Sequence, residues 1–537
     1  MSDIFEKQNN LTTKTKTNNN TLQINQDNPD NQDKDSIPMR IQFVKNLLEG
    51  KDLQPLVNFD STDTENFVCK PLNDNESGDS YDTRIVLKKR LLDFKNIIQQ
   101  IGGKLKYIKS GTTGHTFKGI SEDNNFEFAV KVVAYPKKER YGSINDVRRP
   151  ENAELMMLKL LSYFIVKRQT PHLIIPFGTF NTNIDTFVNL IKLDKIDEKN
   201  ERYKEFIDRY NNGDFSSTVS ILISEWANKG DFLDFLRNNY KSFKLIHWKV
   251  FIFQILSILA IIQSKYPAFR HNDMKANNIL VQKISLKKDY YKYLIVGTKY
   301  KVPNIGYHVK LWDFDFACIP GIVDNIKVES KWTKKINITP EQNRYYDIHY
   351  FFNTLIRKGF FPQILTDSCV PTEVKQFIDR VIPKKYRESD EFIHEKGRIL
   401  VNDEYITPDE LLKKDVFFEE FRVAESDEKR NYKYDLTKIL SVDKNNDALF
   451  SGFSGHIKKS SKKSSKTSSK NKDKLKKSSK NQSKNPSKNS SKNKNTRLNK
   501  KSEINLNKSI DIIKLLGSDV NSKKDKLKIL EDKFLAK

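Results

Sequence analysis

The sequence predicts a bilobal α+β protein, a β-rich lobe followed by a helical one. Three observations carry this expectation. Between Leu105 and Trp226, short runs rich in β-branched and aromatic residues are punctuated by glycines. From Lys229 to Lys414, apolar residues recur at helical spacing. Outside about 84–425 the composition turns polar, too poor in apolar residues to bury a core.

The elements follow in order. Residues 1–83 are rich in Asn, Asp, Thr, Lys and Gln, with one apolar patch, Ile41–Leu48. They are expected to form a mostly disordered arm with one helix. Apolar residues at helical spacing from Arg84 predict a helix that stops at Gly102–Gly103. Residues 105–120 read as a hairpin and Phe126–Tyr135 as a strand. Glu151–Val166 reads as an amphipathic helix. Leu173–Phe180 and Val219–Trp226 read as strands, with a charged helical insertion across Asp194–Asn212. Helices are then expected at Phe232–Asn238, Trp248–Ser264, Asp347–Arg357, Glu373–Val381 and Pro408–Lys414. The lobes divide near residue 226. A disordered Lys/Ser-rich tail is expected over 426–502, and a short, weakly helical segment over 503–537.

Composition limits the function classes. The chain has 537 residues, and its hydrophobic share of 37% is below the usual ~45–50%. Most of the formal net charge of +26 is local, because residues 458–502 hold 18 Lys or Arg against one acid, Asp473. The folded part therefore need not bind nucleic acid. Cys69, Cys318 and Cys369 are too few for a disulfide scaffold and lack zinc-site spacing. The N-terminus has no apolar signal region. The most apolar stretch, Val250–Ile262, is shorter than the ~20 residues of a membrane span and reads as a core helix. An intracellular protein without a membrane span is the expectation.

Five features that could carry chemistry occur in one order. Gly111 and Gly114 flank a turn between strands, where missing Cβ atoms let a backbone approach phosphates. Alone, this is an ordinary β-turn. Lys131 lies inside an apolar strand and needs an anionic partner if buried. Alone, it is an edge lysine facing water. Glu154, on the next helix, could neutralise it; alone, it is a solvated helix face. The string HNDMKANN (His271–Asn278) brings together Asp273, Lys275 and Asn278. An Asp can orient or deprotonate a hydroxyl, a Lys can stabilise a transferred phosphoryl group, and an Asn can ligate magnesium. Finally, Lys310–Leu311–Trp312–Asp313 is a strand that delivers a carboxylate at its end, a natural magnesium ligand.

Together these features resemble the eukaryotic-type protein kinases over residues 100–423. IKSGTTGHTFKG resembles the G-x-G-x-x-G loop, and FAVK the V-A-I-K strand. ELMML resembles the helix whose Glu, here Glu154, pairs with the lysine. ISEWANKGDFLDFL resembles the hinge, which implies adenine contacts at Glu225–Ala227 and a gatekeeper at Ser224. HNDMKANN resembles H-R-D-L-K-P-x-N, and DFD resembles D-F-G. The resemblance implies a protein-kinase-like fold using ATP and Mg2+. It implies Asp273 and Lys275 as catalytic, Asn278 and Asp313 as metal ligands, and Lys131, Glu154 and the glycine loop on the nucleotide. TPEQ (Thr339–Gln342) resembles A-P-E, and Asp347 the aspartate that anchors the catalytic loop. TPDELLKKDVFF resembles the end of many Ser/Thr kinase domains. The nearest flavour is that of large DNA viruses, including the poxvirus type.

The departures are specific. Lys109 stands where the first loop glycine belongs, loosening the lid or contacting phosphates itself. Asn272 replaces the arginine that pairs with a phosphorylated activation loop, which argues against control through Ser330 or Thr333. Asp315 replaces the last glycine of D-F-G, as a second metal ligand or a restraint on Phe314. A hairpin insertion is expected through Tyr290–Tyr307.

The expected function is transfer of the ATP γ-phosphate to Ser/Thr hydroxyls of proteins, a choice that rests on Lys275. Two alternatives remain. A small-molecule kinase of the choline or aminoglycoside type suits Asn272 and Asp315. A pseudokinase scaffold suits the altered lid. Residues 458–502 read as a solvated tail, as an electrostatic contact for nucleic acid or acidic proteins, or as a phosphorylation substrate. Host cytoplasm or virion is the expected location, with a nuclear alternative from the basic tail.

Overall fold

In the computed structural model, five antiparallel strands form the first layer. They are β1 (Gly103–Ser110), β2 (Gly114–Ser121), β3 (Glu127–Pro136), β4 (Pro176–Asn183) and β5 (Phe215–Glu225), ordered β1-β2-β3-β5-β4. The structure describes residues 4–5, 34–59, 87, 89–111, 113–121, 126–137, 141–389 and 391–423. All lie in one compact unit, Met1–Val442; a second, Asp443–Lys537, falls outside the described residues. The expected basic tail and C-terminal segment, Cys69 and the loop residue Thr112 therefore fall outside them too.

Sequence alternation explains the strands. In β1, buried Gly103, Leu105 and Tyr107 alternate with exposed lysines and Ile108. In β3, Phe128, Val130 and Val132 are buried, and Lys131 lies opposite Thr116 of β2 and Leu222 of β5. Behind the sheet runs α3 (Pro150–Val166), labelled after two earlier helices, α1 (Ile37–Leu48) and α2 (Phe94–Gln100). Pro150 opens α3, where its missing N–H costs nothing. All but two of its residues are buried, which is why it is apolar almost all round.

One expected helix is much shorter than its apolar spacing implied. The pattern from Arg84 yields only α2, because the Asp93 side chain caps the helix by accepting from Asn96 N at 2.7 Å. The residues before it are extended along β4, where Leu92 N donates to Asn181 O (2.9 Å) and Asn181 N to Arg90 O (2.8 Å). The polar arm also carries order of its own. Besides α1, Phe5 pairs with Leu105 and is buried, and Pro55 bridges Gly178 at the outer edge of β4. Gly178 is needed there, because a Cβ would lie 2.8 Å from the Gln54 carbonyl. The charged insertion forms α4 (Glu201–Asn211), capped by Asn200.

Helices dominate after β5. The longer ones are α5 (Phe232–Asn239), α6 (Leu245–Lys265), α7 (Tyr346–Leu355), α8 (Thr372–Val381) and α9 (Pro408–Lys414). Asp231 caps α5, and a reciprocal Thr407–Glu410 box caps α9. Helix α6 has 21 residues, longer than its apolar core suggested. It is long and apolar enough to cross a membrane, yet 78% of its most apolar window is packed inside the protein. The insertion is a hairpin of β7 (Tyr290–Ile295) and β8 (Thr298–Pro303), turned by Val296 and Gly297, both at positive φ. It separates β6 (Ile279–Lys283) from its partner β9 (Tyr307–Leu311). That pairing sets Ile279 opposite Leu311, so the loops before β6 and after β9 meet at one end.

Candidate active site

Three charges meet between the sheet and the β6/β9 pair. Lys131 Nζ lies 2.6 Å from Glu154 Oε1 and 3.0 Å from Asp313 Oδ1. The strand fixes the lysine, α3 brings the glutamate from behind, and the end of β9 brings the aspartate. Burial works to lower the Lys131 pKa, but Asp313 and Glu154 outweigh it and leave it raised. Burial raises the Glu154 pKa, against the pull of Lys131. Partial burial works upward on Asp313 too, but Lys131, Lys275 and Lys109 hold it well below the usual carboxylate range. The Glu154 side chain is 5% exposed and that of Asp313 35%. Glu154 is thus the internal counterion, and Asp313 the carboxylate a ligand can reach.

The catalytic-loop candidates converge as well. Asp273 Oδ2 lies 3.1 Å from Lys275 Nζ and accepts from Asn278 Nδ2 at 2.9 Å. The loop is held from beneath by the buried Asp347 of α7, which accepts from His271 N (2.7 Å) and Asn272 N (2.9 Å). Trp312 N donates to Asn278 O at 3.1 Å, so Asn278 and Asp313 are neighbours across that bond. Asn272 and Asp313 both sit at positive φ, 62° and 64°, a backbone region that is costly for non-glycine residues and clusters at functional sites. Phe314 is buried against the His271 ring, centroids 5.2 Å apart.

Sequence reasoning missed Arg398. Its Nη2 donates to Asp273 Oδ1 at 2.6 Å, and its Nη1 donates to Asn272 O and to Tyr346 Oη, the latter at 2.9 Å. It lies 125 residues from Asp273, and nothing local in the sequence marks it.

The departures have structural explanations. The Asn272 amide donates to Phe316 O (3.1 Å) and Thr339 O (3.4 Å), tethering the activation segment through neutral bonds. Arg270 holds the TPEQ stretch, donating to Thr339 Oγ1 (2.9 Å) and Asn337 O. Asp315 pairs with Lys327, which also lies over the Phe316 ring. Its carboxylate therefore pins the segment rather than standing free beside Asp313.

In the glycine turn, Gly111 N donates to Gly114 O at 2.8 Å. A Cβ on Gly114 would lie 1.8 Å from the Val132 carbonyl oxygen, so β2–β3 packing by itself demands this glycine. Lys109 is exposed at the end of β1, and its charge acts on both Asp313 and Asp231. At the hinge, the Glu225 carboxylate is held by Arg40 of α1, and Glu225 N donates to Ile175 O. Its carboxylate is therefore committed to Arg40 and to Ile175 N. Ala227 is buried beside it.

The donor set suits magnesium. It offers the reachable Asp313 carboxylate and the Asn278 amide, whose nitrogen is engaged with Asp273 and whose oxygen is left for a cation. Hard oxygen donors without thiol or imidazole fit that ion better than zinc.

The comparisons with known proteins identify the family. Residues 143–419, just over half of the chain, match the family model described as poxvirus serine/threonine protein kinase. A protein of Acanthamoeba polyphaga mimivirus, provisionally named a serine/threonine-protein kinase, is 50% identical over 390 residues, 71% of this chain and 80% of that protein. The serine/threonine-protein kinase 2 of monkeypox virus is 32% identical over 139 residues, 25% of this chain and 28% of its own. That of fowlpox virus is 27% identical over 241 residues, 43% and 49% of the two chains. The chain belongs to the poxvirus-type serine/threonine protein kinase family, enzymes that use ATP to phosphorylate proteins.

Proposed function

We propose that the Lys131–Glu154–Asp313 and Asp273–Lys275–Asn278 groups form one phosphotransfer centre. The observation that carries this reading is the placement of Lys131 Nζ within 3.0 Å of both Glu154 and Asp313. Lys131, Glu154 and Asp313 come from three separate elements and would otherwise have no reason to be gathered as one alternating set of charges. Lys131, held by Glu154, positions the α- and β-phosphates of ATP. Backbone groups near Glu225 and Ala227 take the adenine, and Gly111 and Gly114 shape the turn over the phosphates. Lys109 adds positive charge at the mouth of that turn. Asp313 and Asn278 hold Mg2+, which supplies neutralising charge to the phosphate oxygens when bound.

Asp273 orients the Ser or Thr hydroxyl of the protein acceptor and accepts its proton as the Oγ–P bond forms. The bond between the γ-phosphorus and the bridging oxygen breaks, and ADP leaves with the electron pair. Lys275 lies beside Asp273 and stabilises charge on the transferring phosphoryl group. Positioning and electrostatics supply most of the acceleration. The test is radiolabel transfer from ATP–Mg2+ to casein, a basic protein or choline, comparing wild type with Asp273→Ala. Label on protein, lost in the variant, is expected. Label on choline alone would move the chain to small-molecule chemistry, and bound ATP without turnover would make it a scaffold.

A further inference from the structure

Arg398 sits in a tight turn between α8 and α9. His394 N donates to Arg398 O at 2.8 Å and Gly397 N to His394 O at 2.7 Å. Helix α7 anchors this turn, because Asn353 Nδ2 donates to Gly397 O at 2.9 Å. The same helix receives the guanidinium, which lies 3.9 Å over the Tyr350 ring and donates to Tyr346 Oη. Helix α7 therefore grips the catalytic loop twice. Asp347 takes the backbone N–H groups of His271 and Asn272, and through Arg398 it reaches the Asn272 carbonyl and the Asp273 carboxylate.

A guanidinium 3% exposed needs an anion, and the carboxylate it meets is that of Asp273, itself 2% exposed. The two Asp273 oxygens are held from different sides. Oδ2 faces Lys275 and Asn278, and Oδ1 faces Arg398. Without Arg398, Asp273 keeps Lys275 and Asn278 on Oδ2 and the neutral Tyr350 hydroxyl, but loses the charged planar fork that holds Oδ1. With it, the plane of the carboxylate is fixed before any acceptor arrives. Misplacement of an attacking pair by about 1 Å can cost on the order of 100-fold in rate.

We propose that Arg398 is a positioning residue for phosphotransfer: its planar fork ties the Asn272 carbonyl to Asp273 Oδ1 and fixes the orientation of the base. This rests on the reading of Asp273 as the base. Arg398 touches neither Asp313 nor Lys131 in this arrangement, so its effect falls on kcat and not on ATP binding.

The test uses the full chain with casein as acceptor, comparing wild type, Arg398→Met, Arg398→Lys, Asp273→Asn and the Arg398→Lys/Asp273→Asn double variant. For Arg398→Met we expect kcat to fall at least tenfold, with KM for ATP and the ATP-induced thermal shift unchanged. Lysine keeps the charge but cannot span both acceptors as a planar fork does, so Arg398→Lys recovers only part of the rate. In the Asp273→Asn background, Arg398→Lys should add nothing, because residues acting as a unit are not additive. Should Arg398→Met fail to fold, Arg398→Lys and the double variant still decide. Wild-type kcat in Arg398→Lys, or an equal further loss on top of Asp273→Asn, overturns the proposal while leaving Asp273 as the base. Full activity in Asp273→Asn removes the base assignment and this inference with it.

Discussion

Arg40 and Glu225 form a two-armed ion pair, Nε to Oε1 at 2.7 Å and Nη2 to Oε2 at 2.6 Å. It joins helix α1, in the polar N-terminal arm, to the last residue of β5. The Arg40 guanidinium also donates to Pro171 O and Leu173 O, and Glu225 accepts from Ile175 N. The strand end that leads into the hinge is therefore clamped by a segment from outside the sheet.

The first prediction follows from that clamp. Removing one partner of a largely buried pair costs about 3–5 kcal/mol, because the other charge is left unpaired. Arg40→Ala should lower the melting temperature by several degrees, and Arg40→Met/Glu225→Leu should recover part of the loss. Burial works to raise the Glu225 pKa, but Arg40 prevails and lowers it below its ordinary 4.5. This stabilisation is present above about pH 4.5 and is lost as pH falls through the lower folded value. Thermal melts of Glu225→Gln across pH 3–6 should show a weaker acid dependence than wild type. Parallel curves would contradict the assignment.

A second prediction separates strand packing from phosphate contact. A Gly114 Cβ would collide with the Val132 carbonyl, and overpacking typically costs about 1–3 kcal/mol. Gly114→Ala should therefore lower the melting temperature equally with and without ATP–Mg2+. If Gly114→Ala left the apo protein unchanged and weakened ATP binding alone, the packing explanation would fail.

The sequence pointed to the residues that gather at the candidate site more fully than to the scaffolding around them. Lys131, Glu154, Asp273, Lys275, Asn278 and Asp313 were legible because each lies in a short local string whose residue types fit one reaction. Strands β3 and β5 and helix α6 were legible because burial imposes a clear apolar pattern. The start of α2 was not, because a single cap at Asp93 overrode a longer apolar period. Arg40 and Arg398 were invisible for a different reason. Each acts through a partner more than a hundred residues away, and sequence spacing carries no information about such a pair. Gly114 was legible as part of the glycine turn, but its packing against the Val132 carbonyl of the adjacent strand was not.

A third prediction concerns the buried lysine. Lys131→Met leaves Glu154 and Asp313 without the cation between them. Loss of a preorganised electrostatic contact of this kind costs about 10²–10³ in rate. We expect a fall of that order in kcat/KM, with a smaller fall in Glu154→Gln, where Asp313 still faces the lysine. Steady-state kinetics with casein would check it, and an unimpaired Lys131→Met would remove this lysine from the mechanism.

The activation segment supplies a fourth. Asn272 and Arg270 tether it through uncharged acceptors, and Asp315 pairs with Lys327. No phosphate is required in this arrangement, and Thr333 has its hydroxyl buried among the carbonyls of Val328 and Ser330. Ser330→Ala and phosphatase treatment should leave activity unchanged. Lys327→Met should reduce it, because Asp315 then loses its partner. Activity lost after phosphatase and regained on rephosphorylation at Ser330 would refute this.

The fifth prediction rests on Lys310, buried on β9, whose Nζ donates to Pro171 O at 2.6 Å. Burial is the main influence on it, followed by repulsion from Arg40, and Glu225 compensates only in part. Its pKa falls from the ordinary 10.5 to about 7. Below pH 7 the lysine is protonated both folded and unfolded, so the cost of the buried charge is constant. Between pH 7 and 10.5 the unfolded chain keeps the proton that the folded chain has released. Stability should therefore rise with pH across this window, by at most about 1.4 kcal/mol per unit. Lys310→Met removes the titrating group but keeps an apolar stem of similar length, so its slope over the same range should be smaller. Denaturant unfolding at pH 7, 8 and 9 would measure both slopes. A wild-type slope that survives in Lys310→Met would assign the effect to another group, such as Lys89, whose pKa burial also lowers to about 7.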